Sequence, residues 1–237
     1  MSTILYTTEY PNDLSPGDLG ALINILPRDL KQKALRFHRW QDAYGCIFGK
    51  LLLKIALRKM NFPGDLNSIQ YSSQKKPFLP DGPHFNISHS ANRVVCAVNM
   101  DRRVGVDIEY VADKILVDDY RNLFTSAEWE AICNRTSPKI QFYDFWTAKE
   151  SLIKADGRGF GISLQEVDVS AAGPVLLGGK SWAIVRLPNF NGYSGHVAVE
   201  IPSGTGDPYF FSIPSEIYTK IEVCELSPAG ILDVVGR

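Results

Sequence analysis

The sequence predicts an α+β fold of two similar lobes that share one cleft, and three observations predict it. Strand-like runs follow helical ones in blocks instead of alternating with them, which disfavours a doubly wound parallel sheet. That order of elements occurs twice along the chain, although no sequence identity links the halves. A length of 237 residues allows two small domains, and 45% hydrophobic against 22% charged residues supplies a core for both.

Thr3 to Tyr10 reads as a short strand, and Asp18 to Phe37 is rich in helix formers. Trp40, Tyr44, Ile47, Phe48, Leu51, Leu52 and Ile55 recur at three- and four-residue spacing, so Gln41 to Met60 is predicted as one long helix with a buried stripe. Phe62-Pro63-Gly64 ends it, and the prolines between Lys75 and Pro83 predict a loop. Phe85 to Ile87 reads as a short strand, and Arg93 to Asn99 as a central strand, apolar on both faces. After a turn at Asp101-Arg102-Arg103, Val104 to Tyr110 alternates. Val104, Val106 and Ile108 point one way while Gly105, Asp107 and Glu109 point the other.

The second half predicts helices near Ser126 to Asn134 and Lys139 to Asp156. Strands are expected at Glu166 to Ser170, Trp182 to Leu187, Tyr193 to Ile201 and Tyr209 to Ile213. The lobes are expected at residues 1–103 and 104–237.

A formal charge of −1 gives no whole-chain field to recruit nucleic acid or an anionic membrane, so any anion site must be local. Cys46, Cys96, Cys133 and Cys224 lack metal-ligand or disulfide-framework spacing. The N-terminus lacks the pattern of a signal peptide, and no run is long and apolar enough to span a bilayer. A cytoplasmic protein without a membrane partner is therefore expected, with no glycan at Asn86 or Asn134.

Asp107 and Glu109 share one strand face, a spacing that suits a hard cation and equally suits an ordinary solvated face. Glu150 and Lys154, four apart, share one face of an unusually apolar helix that runs into Gly157-Arg158-Gly159. Across a cleft, a helix acid can join the strand pair to make three carboxylates for one magnesium ion. Ser88 and His89 close a short strand and can both donate to phosphate oxygens, while nothing supplies a protease triad around them. Arg28, Lys31, Lys33, Arg36, His38 and Arg39 form a basic cluster, and Lys75-Lys76 adds charge in the proline loop. Two glycine motifs carry no nucleotide site. Ile162 takes the third glycine position of a dinucleotide fingerprint, and Pro174 takes the first of a P-loop.

In order, Lys76-Pro77, Phe85-Asn86-Ile87-Ser88-His89-Ser90, Gly105-Val106-Asp107-Ile108-Glu109 and Trp146-x-x-Lys149-Glu150-x-x-x-Lys154-x-x-Gly157-x-Gly159 resemble the signature of the 4′-phosphopantetheinyl transferases. Length and plan resemble the surfactin-synthetase-activating type. The resemblance implies a monomer of two α/β lobes in a pseudo-twofold arrangement with the active site between them. It also implies transfer of phosphopantetheine from coenzyme A to a serine of an apo carrier protein.

By the same resemblance Asp107, Glu109 and Glu150 hold magnesium, for which manganese can substitute, and Glu150 is the candidate base. Lys154 faces the pyrophosphate, Ser88, His89, Lys76 and Pro77 contact coenzyme A, and Glu128 lies near the metal's water. Gly45 stands where the family commonly has an arginine for the 3′-phosphate, so Arg36, Arg39 and Lys31 are expected to substitute, unless the 3′-phosphate is read weakly. A basic and apolar patch including Lys114 to Phe124 is expected to meet an acidic carrier. A coenzyme-binding protein without transfer, and a pyrophosphohydrolase using water, remain the alternatives.

Overall fold

The computed structural model describes residues 2–202 and 221–235. Strand β1 (Thr3–Glu9) leads into helix α1 (Pro16–Asn24), where the Ser15 side chain accepts the Asp18 amide and Pro16 fills the first turn. Pro27 divides the predicted helical stretch, so α2 (Arg28–Ala34) is separate. Helix α3 (Trp40–Lys59) follows, with Phe48, Leu51, Leu52 and Leu53 fully buried.

The proline loop is a small hairpin. Strand β2 (Gln70–Tyr71) pairs with β3 (Pro77–Phe78), and Lys75 turns the chain at a φ of 63°. Strands β4 (His84–Ser90), β5 (Arg93–Asn99) and β6 (Val104–Tyr110) come next, and all seven residues of β5 are buried.

In the second half, α4 (Ser126–Cys133) and α5 (Pro138–Asp156) are followed by β7 (Val175–Leu177), β8 (Lys180–Arg186) and β9 (Tyr193–Ile201). The strand expected at Glu166 to Ser170 does not form. Asp168 accepts the Ser170 amide at 2.9 Å in an Asx turn, and the Val169 amide goes to the Glu128 carboxylate, so the donors a ladder needs are already used. The strand expected at Tyr209 to Ile213 lies outside the described residues. The described residues finish with β10 (Ile221–Glu225) and α6 (Pro228–Val235).

Among the described residues two four-stranded sheets form, ordered β10-β1-β5-β4 and β6-β9-β8-β7. One face of the first sheet packs on α3 through Tyr6, Phe85, Val94, Cys96 and Val98. Its other face, with Leu5, Val95 and Ala97, meets Val104, Val106, Ile108, Val197 and Val199 of the second sheet. The far face of the second sheet packs on α5 through Trp182, Ala198 and Leu152. The layers therefore run helix, sheet, sheet, helix, with one long helix backing each sheet.

Residues 221–235 return to the first lobe. Strand β10 adds parallel to the free edge of β1, and Ile231 of α6 is buried in the core around α3. The turn near residue 103 separates β5 from β6, while residues 221–235 pack against β1 and α3. An apolar strand and helix late in the sequence cover whichever edge is open, and that edge belongs to the first sheet.

Candidate active site

The two sheets meet at their edges, β4 against β6, and side chains replace the missing backbone ladder. Asn86, Ser88 and Ser90 alternate along β4 and accept the amides of Val106, Ile108 and Tyr110 at 2.9, 3.4 and 3.0 Å. The period of two in one strand thus satisfies every second amide of its neighbour. Each serine hydroxyl also donates. Ser88 Oγ donates to Asp107 Oδ1 at 2.9 Å, and Ser90 Oγ donates to Glu109 Oε2 at 2.7 Å.

Helix α5 closes the site from the other side. It lies tightly on β6 because Gly105 has no side chain: a Cβ there would stand 2.2 Å from the Ser151 carbonyl oxygen and 2.3 Å from the Ala155 nitrogen. That approach brings the Lys154 ammonium to 2.5 Å from Asp107 Oδ1 and 3.2 Å from Ser88 Oγ. Asp107 is 2% exposed, yet its Oδ2 has no hydrogen-bond partner. Glu150 lies one turn before Lys154. Burial raises its carboxyl above the ordinary range, Asp107 adds to the rise and Lys154 opposes it. Glu109 is raised by burial and then by Asp107, with Glu150 adding a smaller push and Ser90 and Lys154 opposing. Asp107, Glu109 and Glu150 thus act on one another electrostatically, with Lys154 opposing. Among the described residues, no three His, Cys, Asp or Glu side chains are gathered into a ready metal cage.

Lys76 takes a role that its position in the sequence does not suggest. Its Nζ donates to the carbonyls of Lys154 and Ala155 at 2.5 and 2.9 Å, closing the C-terminus of α5 just before the left-handed Gly157 cap. Burial, then Arg103, pushes its pKa down to about 8. Lys76, Pro77, Glu150 and Lys154 line a cavity of about 710 Å³ whose apolar wall includes Trp146 and Ile153. His89 is seated on α3, where a Cβ on Gly45 would stand 2.4 Å from its ring, and burial holds the imidazole below its ordinary pKa. Position 45 is therefore closed to an arginine while His89 stays in place.

Other expected residues are not brought here. Glu128 is fully buried away from the acid cluster and makes a capping box with Thr125, accepts the Val169 amide at 3.0 Å, and pairs with buried Lys149 at 2.5 Å. Its oxygens are engaged by these structural partners. Glu128→Gln is expected to cost about 3 kcal/mol in urea unfolding by leaving Lys149 buried without its counter-ion. Affinity for a divalent cation should be unchanged; a weakened affinity would return Glu128 to the site. Lys31 donates to Asn24 at 2.6 Å. Arg36 and Arg39 are exposed, and among the described residues neither they nor Lys31 bonds to Ser88, His89 or Lys76.

A polar cluster behind the acids gave no signal in the sequence. His196 and Ser194 stand opposite Asp107 and Glu109 in the ladder. His196 Nδ1 lies 2.8 Å from Thr147 Oγ1, and Ser194 Oγ donates to Asp144 at 2.6 Å, tying α5 to β9. Burial, aided by Arg186, holds His196 down at about 3, so its ring is neutral at working pH. These partners are some fifty residues apart, beyond any local periodicity.

A family model described as the 4′-phosphopantetheinyl transferase superfamily matches residues 103–177, a span that holds β6 and α5. A 4′-phosphopantetheinyl transferase of Bacillus subtilis is 28% identical over 231 residues, covering 94% of this chain and 92% of its own. The 4′-phosphopantetheinyl transferase Sfp of Bacillus subtilis (strain 168) is 26% identical over 230 residues, with the same shares covered, 94% and 92%. The 4′-phosphopantetheinyl transferase gsp of Aneurinibacillus migulanus is 32% identical over 157 residues, 65% of each chain.

Proposed function

The chain belongs to the 4′-phosphopantetheinyl transferase superfamily, and from that premise we propose that it transfers the 4′-phosphopantetheine group of coenzyme A to a serine of an apo carrier protein, leaving adenosine 3′,5′-bisphosphate. The observation that carries the reading is the acid and ammonium cluster of Asp107, Glu109, Glu150 and Lys154, of which Glu150 and Lys154 face the cavity of about 710 Å³. A cavity with basic and apolar walls suits a ligand that joins a pyrophosphate to a pantetheine arm.

The residues fit a hard divalent cation. Asp107 Oδ2 is buried without a partner, and Glu109 and Glu150, each raised by burial and then by Asp107, gain from a positive charge beside them. Asp107, Glu109 and Glu150 would hold magnesium, or manganese in its place, which when bound neutralises charge on the pyrophosphate.

In the transfer, the serine oxygen bonds to the phosphorus bearing the pantetheine arm, and the bridging bond of the pyrophosphate breaks. Glu150 takes the serine proton; a raised carboxyl is the stronger base once ionised. Lys154 is held by Asp107 and Ser88 at the rim of the cavity, where it can turn to the leaving phosphate. On this reading Ser88, which faces β6, and His89, which faces α3, are phosphate contacts, while Lys76 and Pro77 line the cavity of about 710 Å³. The 114–124 segment supports docking of the carrier. Leu116 and Tyr120 are 71% and 38% exposed there, and Arg121 lies over Trp129. The reading makes the protein a cytoplasmic monomer. Its four cysteines are unpaired, and among the described residues no helix is long and apolar enough to cross a membrane.

The test incubates the protein with coenzyme A, magnesium and an apo carrier protein and follows intact masses. A carrier gaining one phosphopantetheine is expected. Free phosphopantetheine would replace the reading with a hydrolase, and unchanged masses would leave a binding protein.

A further inference from the structure

Helix α5 carries both Glu150 and Lys154, so its placement on the second sheet sets where the carboxyl and the ammonium stand. Its C-terminal half is seated by Gly105, beneath Ser151 and Ala155. The half before Glu150 is seated differently. On the helix-facing side of the second sheet, apolar packing of Trp182 and Ala198 with Leu152 gives way to a polar patch of Arg186, Ser194 and His196, which meets Asp144 and Thr147 of α5. Thr147 is fully buried and Ser194 is 2% exposed.

The hydrogens in this patch are assigned by counting. The Thr147 hydroxyl has one, and it goes to the Tyr143 carbonyl at 2.8 Å. Its oxygen is left to accept from His196 Nδ1 at 2.8 Å, so the imidazole carries a hydrogen on Nδ1 whatever its charge. Ser194 gives its hydrogen to Asp144 Oδ1 at 2.6 Å, and Arg186 reaches the same oxygen at 3.0 Å. Hydrogen bonds from two residues of β9 thus fix α5 in rotation and along its axis, where apolar contacts alone tolerate slippage.

The ladder ties this seat to the acids. In the β6–β9 register Asp107 stands opposite His196 and Glu109 opposite Ser194, so each acid shares a sheet face with one anchor of the helix. Thr147, Glu150, Ser151 and Lys154 follow at helical spacing on one side of α5. A shift of Thr147 against His196 is therefore a shift of Glu150 against Asp107 and Glu109.

We infer that Thr147 and His196 are positioning residues, which hold Glu150 at its working distance from Asp107 and Glu109 through the seat of α5. That Glu150 is the base rests on the transfer reading. The seat itself rests on the hydrogen bonds.

Initial rates of carrier modification at saturating magnesium test this. Thr147→Val keeps the volume of the side chain and removes the acceptor, and His196→Ala removes the donor. Each is expected to lower kcat about tenfold or more with KM for coenzyme A within about twofold of wild type, because a small displacement costs the geometry of the reacting groups. The double variant should be no slower than the slower single one, since both remove the same bond. Thr147→Ser and His196→Asn, which keep a hydroxyl and an N–H in reach, should stay within about threefold of wild type. Unchanged kcat in Thr147→Val and His196→Ala, losses that multiply in the double variant, or equal losses in the conservative pair overturn the assignment, even where melting temperatures fall. Should His196→Ala fail to fold, Thr147→Val against Thr147→Ser decides on kcat alone. If the wild type leaves the carrier unmodified, the transferase reading fails and the seat is judged by manganese(II) binding, followed by electron paramagnetic resonance of the free ion. Binding about fivefold or more weaker in Thr147→Val than in Thr147→Ser supports the positioning role. Equal affinity in the two variants, or no binding to the wild type, overturns it.

Discussion

Glu150→Gln is expected to slow carrier modification by about a thousandfold or more, equivalent to roughly 4 kcal/mol of barrier, while coenzyme A binding is largely retained. The amide keeps the shape of the side chain but can neither take the serine proton nor add negative charge to the cluster. The same variant should be more stable than wild type at pH 8 in the absence of cation. Burial and Asp107 raise Glu150 in the folded protein, so the folded chain holds this proton to higher pH than the unfolded chain does. Stability attached to this group is present below its ordinary value of 4.5 and is lost as pH rises through the raised one. Glutamine escapes that loss, so the advantage in melting temperature should be absent near pH 4 and present at pH 8. Turnover close to wild type would remove Glu150 from the role of base. A melting advantage that ignores pH would show that crowding of the acids is not its source.

Gly105→Ala is expected to destabilise the protein by more than about 3 kcal/mol and to reduce transfer by over a hundredfold. The three atoms nearest the new methyl are backbone atoms of α5, at 2.2, 2.3 and 2.8 Å, and no side-chain rotation relieves them. Helix and strand must separate, which loosens the contact of Lys154 with Asp107 and shifts Glu150 from the strand acids. Urea unfolding and initial rates measure the two effects. Gly20→Ala on α1 serves as the comparison, since nothing lies within 4 Å of its added methyl, and it should be neutral or slightly stabilising. A Gly105→Ala protein with wild-type stability would mean that α5 does not need its close seat on β6.

Much of the site is legible one element at a time. A period of two places Asp107 and Glu109 on one face of β6 with Val106 and Ile108 on the other, and the structure keeps that division. A separation of four places Glu150 and Lys154 together on α5. The apolar stripe of α3 is buried as its spacing predicts. Residues whose work depends on a partner from elsewhere are read less well. Glu128 looks like a free acid in the sequence and is a buried structural partner of Lys149. Lys76 looks like a loop cation and closes the end of α5. Lys31, Arg36 and Arg39 look like one cluster, yet Lys31 is engaged with Asn24 and none of the three bonds to the phosphate-binding candidates among the described residues.

The sequence by itself determined the α+β class, the faces of β6 and α5 and the family signature, because backbone geometry sets which side chains of one helix or strand share a face. Tertiary structure alone decided that β4 serines donate to β6 acids and that β10 and α6 close the first lobe. Those outcomes join residues from roughly 20 to more than 200 positions apart. They depend on which edges and faces are left open once each element has buried its own apolar side.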